Sequence, residues 1–306
     1  MAFSASESAF EGFRIIRREP LTIAVWAVIL LVVSAAVSAV MLPALSGFTA
    51  GIKPGGGTSR AQLAALGNLM WMYLGALPIE LVVLSVFTAA IYRAVLRPED
   101  KALARLRFGG DELRLMALYL LLGLFFLAVF IGVDIVAALL AGGVIAATRS
   151  AGPAASVLIV MILFAAMIAA WAWLGVKFSF AAPMTFSQKR IRMFASWGAT
   201  KGRFWPLLGC YLLAGVFVIL VMLVDLVVSG VLAVGLSGGS LSRAATSMFR
   251  PNVSSAMSLL SPIYVVRLIV GAAFGAVMWT VGFVPAASAY REIAGPKPQD
   301  QADTFA

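Results

Sequence analysis

An all-α polytopic membrane bundle of six spans is the fold class predicted by this 306-residue chain, and three observations predict it. Six apolar stretches are each long enough to cross a bilayer. The composition is 62% hydrophobic, with a mean hydropathy of +1.01. Basic residues crowd alternate connections between the stretches. A hydrocarbon core of about 30 Å takes about 20 residues at a rise of ~1.5 Å, and in lipid a helix satisfies its own backbone. Soluble domains hold only about 45–50% apolar residues.

The elements follow in order. The first span covers residues 21–42, preceded by Arg14-Ile-Ile-Arg17-Arg18. It reads as a signal anchor, because its apolar run is longer than the roughly 7–15 residues of a cleaved signal. The second covers 69–95 and contains Pro78, which frees a backbone carbonyl and predicts a water-admitting kink beside Glu80. The third, fourth, fifth and sixth cover 115–147, 154–180, 204–236 and 259–289. Spans one, two and four fit the bilayer, whereas three, five and six are over-long. A 33-residue helix would extend ~50 Å, so breaks near Gly142-Gly143 or Gly230–Gly235, or projection beyond the bilayer, are expected. These spans form one membrane domain, 1–294, followed by a tail, 295–306, whose prolines and polar residues predict disorder. The Gly- and Ser-rich connections 46–68 and 237–258 read as flexible linkers.

Charge orients the bundle. The chain has 23 Lys and Arg, 13 Asp and Glu and no His. With the N-terminus inside, only Lys53, Arg60, Arg149, Arg243, Arg250 and Arg267 fall outside, leaving 17 of the 23 basic residues inside. The positive-inside rule then predicts N-in/C-in topology, and the basic excess follows from topology rather than from nucleic-acid binding. Each odd-numbered span is preceded by a short basic stretch that reads as an interfacial amphipathic helix. The first carries Arg14, Arg17 and Arg18; its Phe10, Phe13 and Ile16–Arg17 follow i, i+3, i+7 spacing, with Glu11, Arg14 and Arg18 on another face. The second, 101–108, carries Arg105 and Arg107. The third, 189–197, carries Lys189, Arg190 and Arg192. Their expected partners are anionic lipid head groups, or a membrane protein.

The hairpins read as three repeats. At an offset of 91 residues, Val133-Asp134-Ile135-Val136 matches Val224-Asp225-Leu226-Val227. Ala90-Ile91-Tyr92-Arg93 likewise resembles Ser288-Ala289-Tyr290-Arg291. Gly271-Ala-Ala-Phe-Gly275 is a GxxxG that favours close helix approach, within the chain or between two copies in a homodimer. Trp71, Trp171, Trp173, Trp205 and Trp279 fit an aromatic belt near span ends.

A charge within a span is costly and marks a functional candidate. Asp134, Asp225 and Arg267 fall near the outer interface, and Lys177 lies within snorkelling reach of the inner one. Glu80 is ~20 Å from Arg93 and remains well inside the membrane; a structural ion pair with Arg267 and a proton or ligand site are both open. No imidazole base or His metal ligand exists, the lone Cys210 allows no internal disulfide, and no phosphate loop, nucleophile elbow or zinc-protease motif occurs. No catalytic residue, metal site or cofactor is therefore assigned. Three function classes stand open. The first is a non-catalytic protein of envelope or lipid homeostasis, or a membrane scaffold. The second is a transporter of lipid or small solute, and the third an intramembrane lipid enzyme. The lack of a catalytic constellation favours the first.

Two motifs carry a family resemblance. They are Tyr92-Arg93 with Arg97-Pro98-Glu99 at the end of span two, and Ala195-Ser-Trp-Gly-Ala-Thr-Lys201-Gly-Arg-Phe-Trp-Pro206 entering span five. The chain resembles the six-span proteins grouped with the membrane domain of glycerophosphoryl diester phosphodiesterases and the YciC-like inner-membrane proteins. The resemblance implies a bacterial inner membrane. It does not bring phosphodiesterase activity, because no connection is long enough to house the soluble barrel that performs it.

Overall fold

The computed structural model describes residues 3–51, 60–100, 102–147, 153–249 and 260–295. Its helices are α1 (Ala5–Arg18), α2 (Pro20–Gly51), α3 (Arg60–Leu96), α4 (Gly110–Ala147), α5 (Pro153–Phe178), α6 (Ala181–Gln188), α7 (Ala195–Ala199), α8 (Phe204–Leu236), α9 (Leu241–Phe249) and α10 (Pro262–Ile293). A 3-10 turn (Ala102–Arg105) joins α3 to α4, and no strand occurs among the described residues. Six helices, α2, α3, α4, α5, α8 and α10, are long and apolar enough to cross a membrane. The chain is an integral, multi-pass membrane protein.

One end of the bundle collects most of the polar contacts. There the Arg291 side chain at the end of α10 donates to the Val95 carbonyl of α3 at 2.9 Å, and Ser8 of α1 to Glu292 at 3.3 Å. Arg203, just before α8, donates to the Ile293 carbonyl at 3.4 Å. This is the basic end; the opposite ends of the long helices, among them the start of α3 and the end of α8, make the far end.

Local sequence explains α1. Ser4 caps it by accepting from the Glu7 amide at 3.4 Å, while Arg17 and Arg18 occupy its last turn, complementing the helix dipole. Ser8, Ala9, Gly12 and Ile15 are buried, and α1 packs chiefly on α10 and α8. At the crossing a Cβ on Gly12 would lie 2.9 Å from the Val281 Cα, so only glycine permits this approach. Phe10 and Phe13 meet Phe217 of α8, with ring centroids 4.7 and 5.3 Å apart.

Helix α10 is the hub, packing against α1, α2, α3 and α8. The main core joins Trp26, Phe87, Tyr92, Leu118, Phe186 and Val284; a second joins Phe180, Met184, Leu207, Cys210-adjacent α8 side chains and Tyr290. Short α6 lies between them, with Ala181–Phe186 all buried. Two tyrosines hold it in place: Tyr92 of α3 meets Phe186, and Tyr290 of α10 meets Phe180 at its start, each at 5.9 Å between centroids.

The packing is uneven along the bundle. In the most apolar stretches, 39% of residues in α3 and 33% in α10 are buried, against none in α4 and α5. Away from the basic end the helices part, leaving an apolar cleft of about 600 Å³ between α4 and α5.

Several sequence expectations are corrected. No break occurs at Gly142-Gly143 or Gly230–Gly235, because α4 and α8 run through them; α8 ends instead at Ser237, where Gly238 and Gly239 take φ of +65° and +79°. The Gly239 amide donates back to the Val234 carbonyl at 3.0 Å, a helix stop that needs left-handed residues. Spans one and two are also over-long, as α2 and α3 reach 32 and 37 residues and α3 continues through Pro78. Connection 237–258 is not all linker, since α9 falls within it. The GxxxG is not a close-approach site within the chain: nothing meets a Cβ on Gly271, and only the Leu30 side chain approaches Gly275, at 3.9 Å. Trp279 does not sit at a span end but midway along α10, against Phe87 and Phe283. The Gly-rich run 54–57 and tail residues 296–306 lie outside the described residues.

Candidate functional site at the basic end

The site begins with an unusual backbone. Leu103, Ala104 and Arg105 take φ of 48°, 52° and 65°, three successive non-glycine residues in the left-handed region. Each such residue costs roughly 1–2 kcal/mol, so the surroundings must hold the turn. They do so from three sides. The Trp26 indole donates to the Ala104 carbonyl at 2.9 Å, and the Arg93 guanidinium donates to the Arg105 carbonyl at 2.8 Å. The Arg105 guanidinium turns inward and donates to both Glu19 oxygens, at 2.9 and 2.6 Å. It also reaches the Asp100 carbonyl at 2.9 Å and the Pro98 carbonyl at 3.2 Å, gathering the backbone of 97–100 around one cation.

Beneath the turn lies a buried ion pair. Arg93 near the end of α3 pairs with Glu112 in the first turn of α4, and both side chains are almost fully enclosed, at 3% and 1% exposure. The other Glu112 oxygen accepts from the Gly109 amide at 2.9 Å, which fixes where α4 starts. A buried pair of this kind sets register more than it adds stability, but losing one partner strands a charge.

Outward from that pair opens a polar cavity of about 320 Å³. Arg97, Arg107, Arg114 and Lys189 line it, facing Asp100 and Asp111, with Phe108 at its edge. Asp111 bridges Arg97 at 3.3 Å and Arg114 at 2.9 Å, and Asp100 takes Arg107 at 2.9 Å. Arg97 also stacks over the Phe186 ring, 4.7 Å from its centroid, so α6 forms the cavity's inner wall.

The predicted residues fall into three groups. Arg14, Arg17, Arg18, Arg107, Lys189, Arg190 and Arg192 are exposed, as interfacial residues would be. Arg105 is not: it is 1% exposed and belongs to the interior, because residues 103–105 form a left-handed turn rather than part of an amphipathic helix. The third basic stretch likewise forms only the five-residue α7, preceded by the buried α6. Glu80 and Arg267 are not neighbours. Glu80 lines a surface groove of about 390 Å³ with Trp279, Leu84 and Val33, whereas Arg267 lies ~18 Å farther along α10 and donates to the Met248 carbonyl of α9. Asp225 accepts from Ser229 on its own helix at 3.3 Å, and Asp134 stands on α4 beside the α4–α5 cleft, which its neighbour Val133 lines.

Sequence reasoning missed Trp26, Glu19, Glu112 and the inward turn of Arg105. One signal existed. Glu19 and Glu112 both precede apolar runs next to basic clusters, and an acid there can answer a neighbouring arginine before it answers solvent. Comparison with protein families, with curated proteins and with solved structures gives no match for this chain. Its function is therefore argued from the site alone.

Proposed function

We propose that this protein is a non-catalytic component of a bacterial inner membrane, oriented N-in/C-in, that supports envelope or lipid homeostasis by engaging anionic lipid or a membrane partner at its basic end. The observation carrying this reading is the distribution of polar groups. Ordered charges concentrate at the basic end, whereas the larger cavities along the spans are lined by apolar side chains, with Glu80 their single ionisable residue among those described. A solute carrier needs a polar route through the hydrocarbon, and these clefts offer lipid chains a place instead. The orientation is supported by the 17 basic residues of one set of connections against six in the other. The resemblance to the membrane domain of glycerophosphoryl diester phosphodiesterases belongs to the same proposal and adds no activity to it.

A permease for lipid is the alternative, favoured by the Glu80 groove alone. Deletion followed by comparative lipidomics separates the readings, with the deletion complemented by wild type or by Glu80→Gln. The expected result is an altered lipid profile restored by both. An unchanged profile would count against both lipid roles, and restoration by wild type alone would favour the permease.

A further inference from the structure

The cavity at the basic end is short of negative charge. Arg93 and Glu112 line its floor and neutralise each other, but the remaining balance does not close. Asp111 must serve both Arg97 and Arg114, Asp100 serves Arg107, and Lys189 has no hydrogen bond or ion pair among the described residues. Four cations therefore face two carboxylates. The Arg114 guanidinium folds back over Gly110, where a Cβ would come within 3.4 Å of its Nη1, which keeps it at the cavity wall. Each arginine uses only part of its donor fork on its carboxylate, leaving N–H groups for a tetrahedral oxyanion.

We propose that this cavity binds the phosphate of an anionic lipid head group, with Arg97, Arg107, Arg114 and Lys189 as its donors. A phosphate diester or monoester supplies one to two negative charges, matching the two-cation excess. The lipid source follows from what borders the cavity. Phe108 lines it yet is 63% exposed, and Leu103, on the adjoining turn, is 82% exposed. On the other side Ile191 and Phe194 are exposed just after Lys189. Apolar side chains left bare around a phosphate-sized cationic cavity, at the end of a membrane bundle, suit a ligand with an acyl part. The inference deepens the proposed role at this end and rests on that reading, but it fails separately from it.

The test uses the full chain in zwitterionic detergent, with phosphatidylglycerol or phosphatidylcholine added and retained lipid counted by native mass spectrometry. The variants are R107Q/R114Q/K189Q and, as a comparison at the same end, R14Q/R17Q/R18Q on α1. All six side chains lie outside the buried Arg93–Glu112 pair, and an unchanged thermal midpoint verifies folding. Expected is a loss of at least roughly tenfold in phosphatidylglycerol retention for the cavity variant alone, with phosphatidylcholine unaffected. An equal loss in both variants would overturn the cavity while leaving the basic-end reading intact. No loss in either would overturn the cavity, and no preference of wild type for phosphatidylglycerol would overturn the lipid reading with it. Competition by millimolar inorganic phosphate as effective as that by the lipid would overturn the lipid source; failure of phosphate to compete supports it. Should the cavity variant misfold, the single K189Q, which removes an exposed cation with no ion pair among the described residues, carries the same expectation at smaller magnitude.

Discussion

At the residue scale, close approach is decided by one glycine that no motif marks. Gly12 lets α1 lie on α10, whereas the recognisable Gly271 and Gly275 meet at most a leucine methyl. Gly12→Ala should therefore cost about 1–3 kcal/mol, because its methyl would press on backbone that cannot yield. Gly275→Ala should be neutral or slightly stabilising, since a helix-interior glycine is dearer than alanine by roughly 0.5–1 kcal/mol. Denaturant unfolding in detergent checks both. Equal effects would show that α1 does not dock as described. The motif misleads because GxxxG states a capacity for approach, while the partner that approaches is fixed by three-dimensional packing.

At the element scale, the segment between α3 and α4 shows how a basic stretch is misread. Its pattern of Leu, Arg and Phe suits an interfacial helix, and Leu103, Arg107 and Phe108 are exposed as such a helix would leave them. Arg105 breaks the pattern because Glu19, far away in sequence, offers a bidentate partner, and because four carbonyls of the 93–100 segment turn toward it. Arg105→Gln removes the bidentate cation from Glu19 and the shared donor from those carbonyls, and should destabilise by about 3 kcal/mol. Leu103→Gly should instead raise stability by roughly 0.5–1 kcal/mol, since glycine accepts φ of 48° freely and a leucine 82% exposed gives up little packing. Detergent unfolding midpoints compare the two. A loss on Leu103→Gly would mean that the left-handed turn is not the populated form.

At the scale of the whole molecule, stability resides at the basic end. The second apolar core and the buried ion pair lie there, and the main core runs from there along α10 as far as Ala272, while the far halves of α4 and α5 present bare apolar surface suited to lipid. The single thiol reports on this arrangement. Cys210 of α8 is wholly buried, so maleimide should label it only as the basic end opens. Labelling of the native protein in detergent should be slow, and its onset with denaturant should coincide with loss of helix by circular dichroism. Rapid labelling of the native protein would show that this end is loosely packed.

The sequence by itself determined the class, the number of spans and the gathering of basic residues at one end. Hydrocarbon thickness and the need to satisfy every backbone group leave a long apolar run no other form, and each run can be read without its neighbours. The tertiary structure alone decided which charges are interior, which glycine is crossed, and that the helices run on past the expected span ends. Those outcomes depend on partners distant in the chain: Glu19 for Arg105, Glu112 for Arg93, Val281 for Gly12. Such pairings carry no local period, because a side chain's burial is set by what folds against it rather than by its position along a helix.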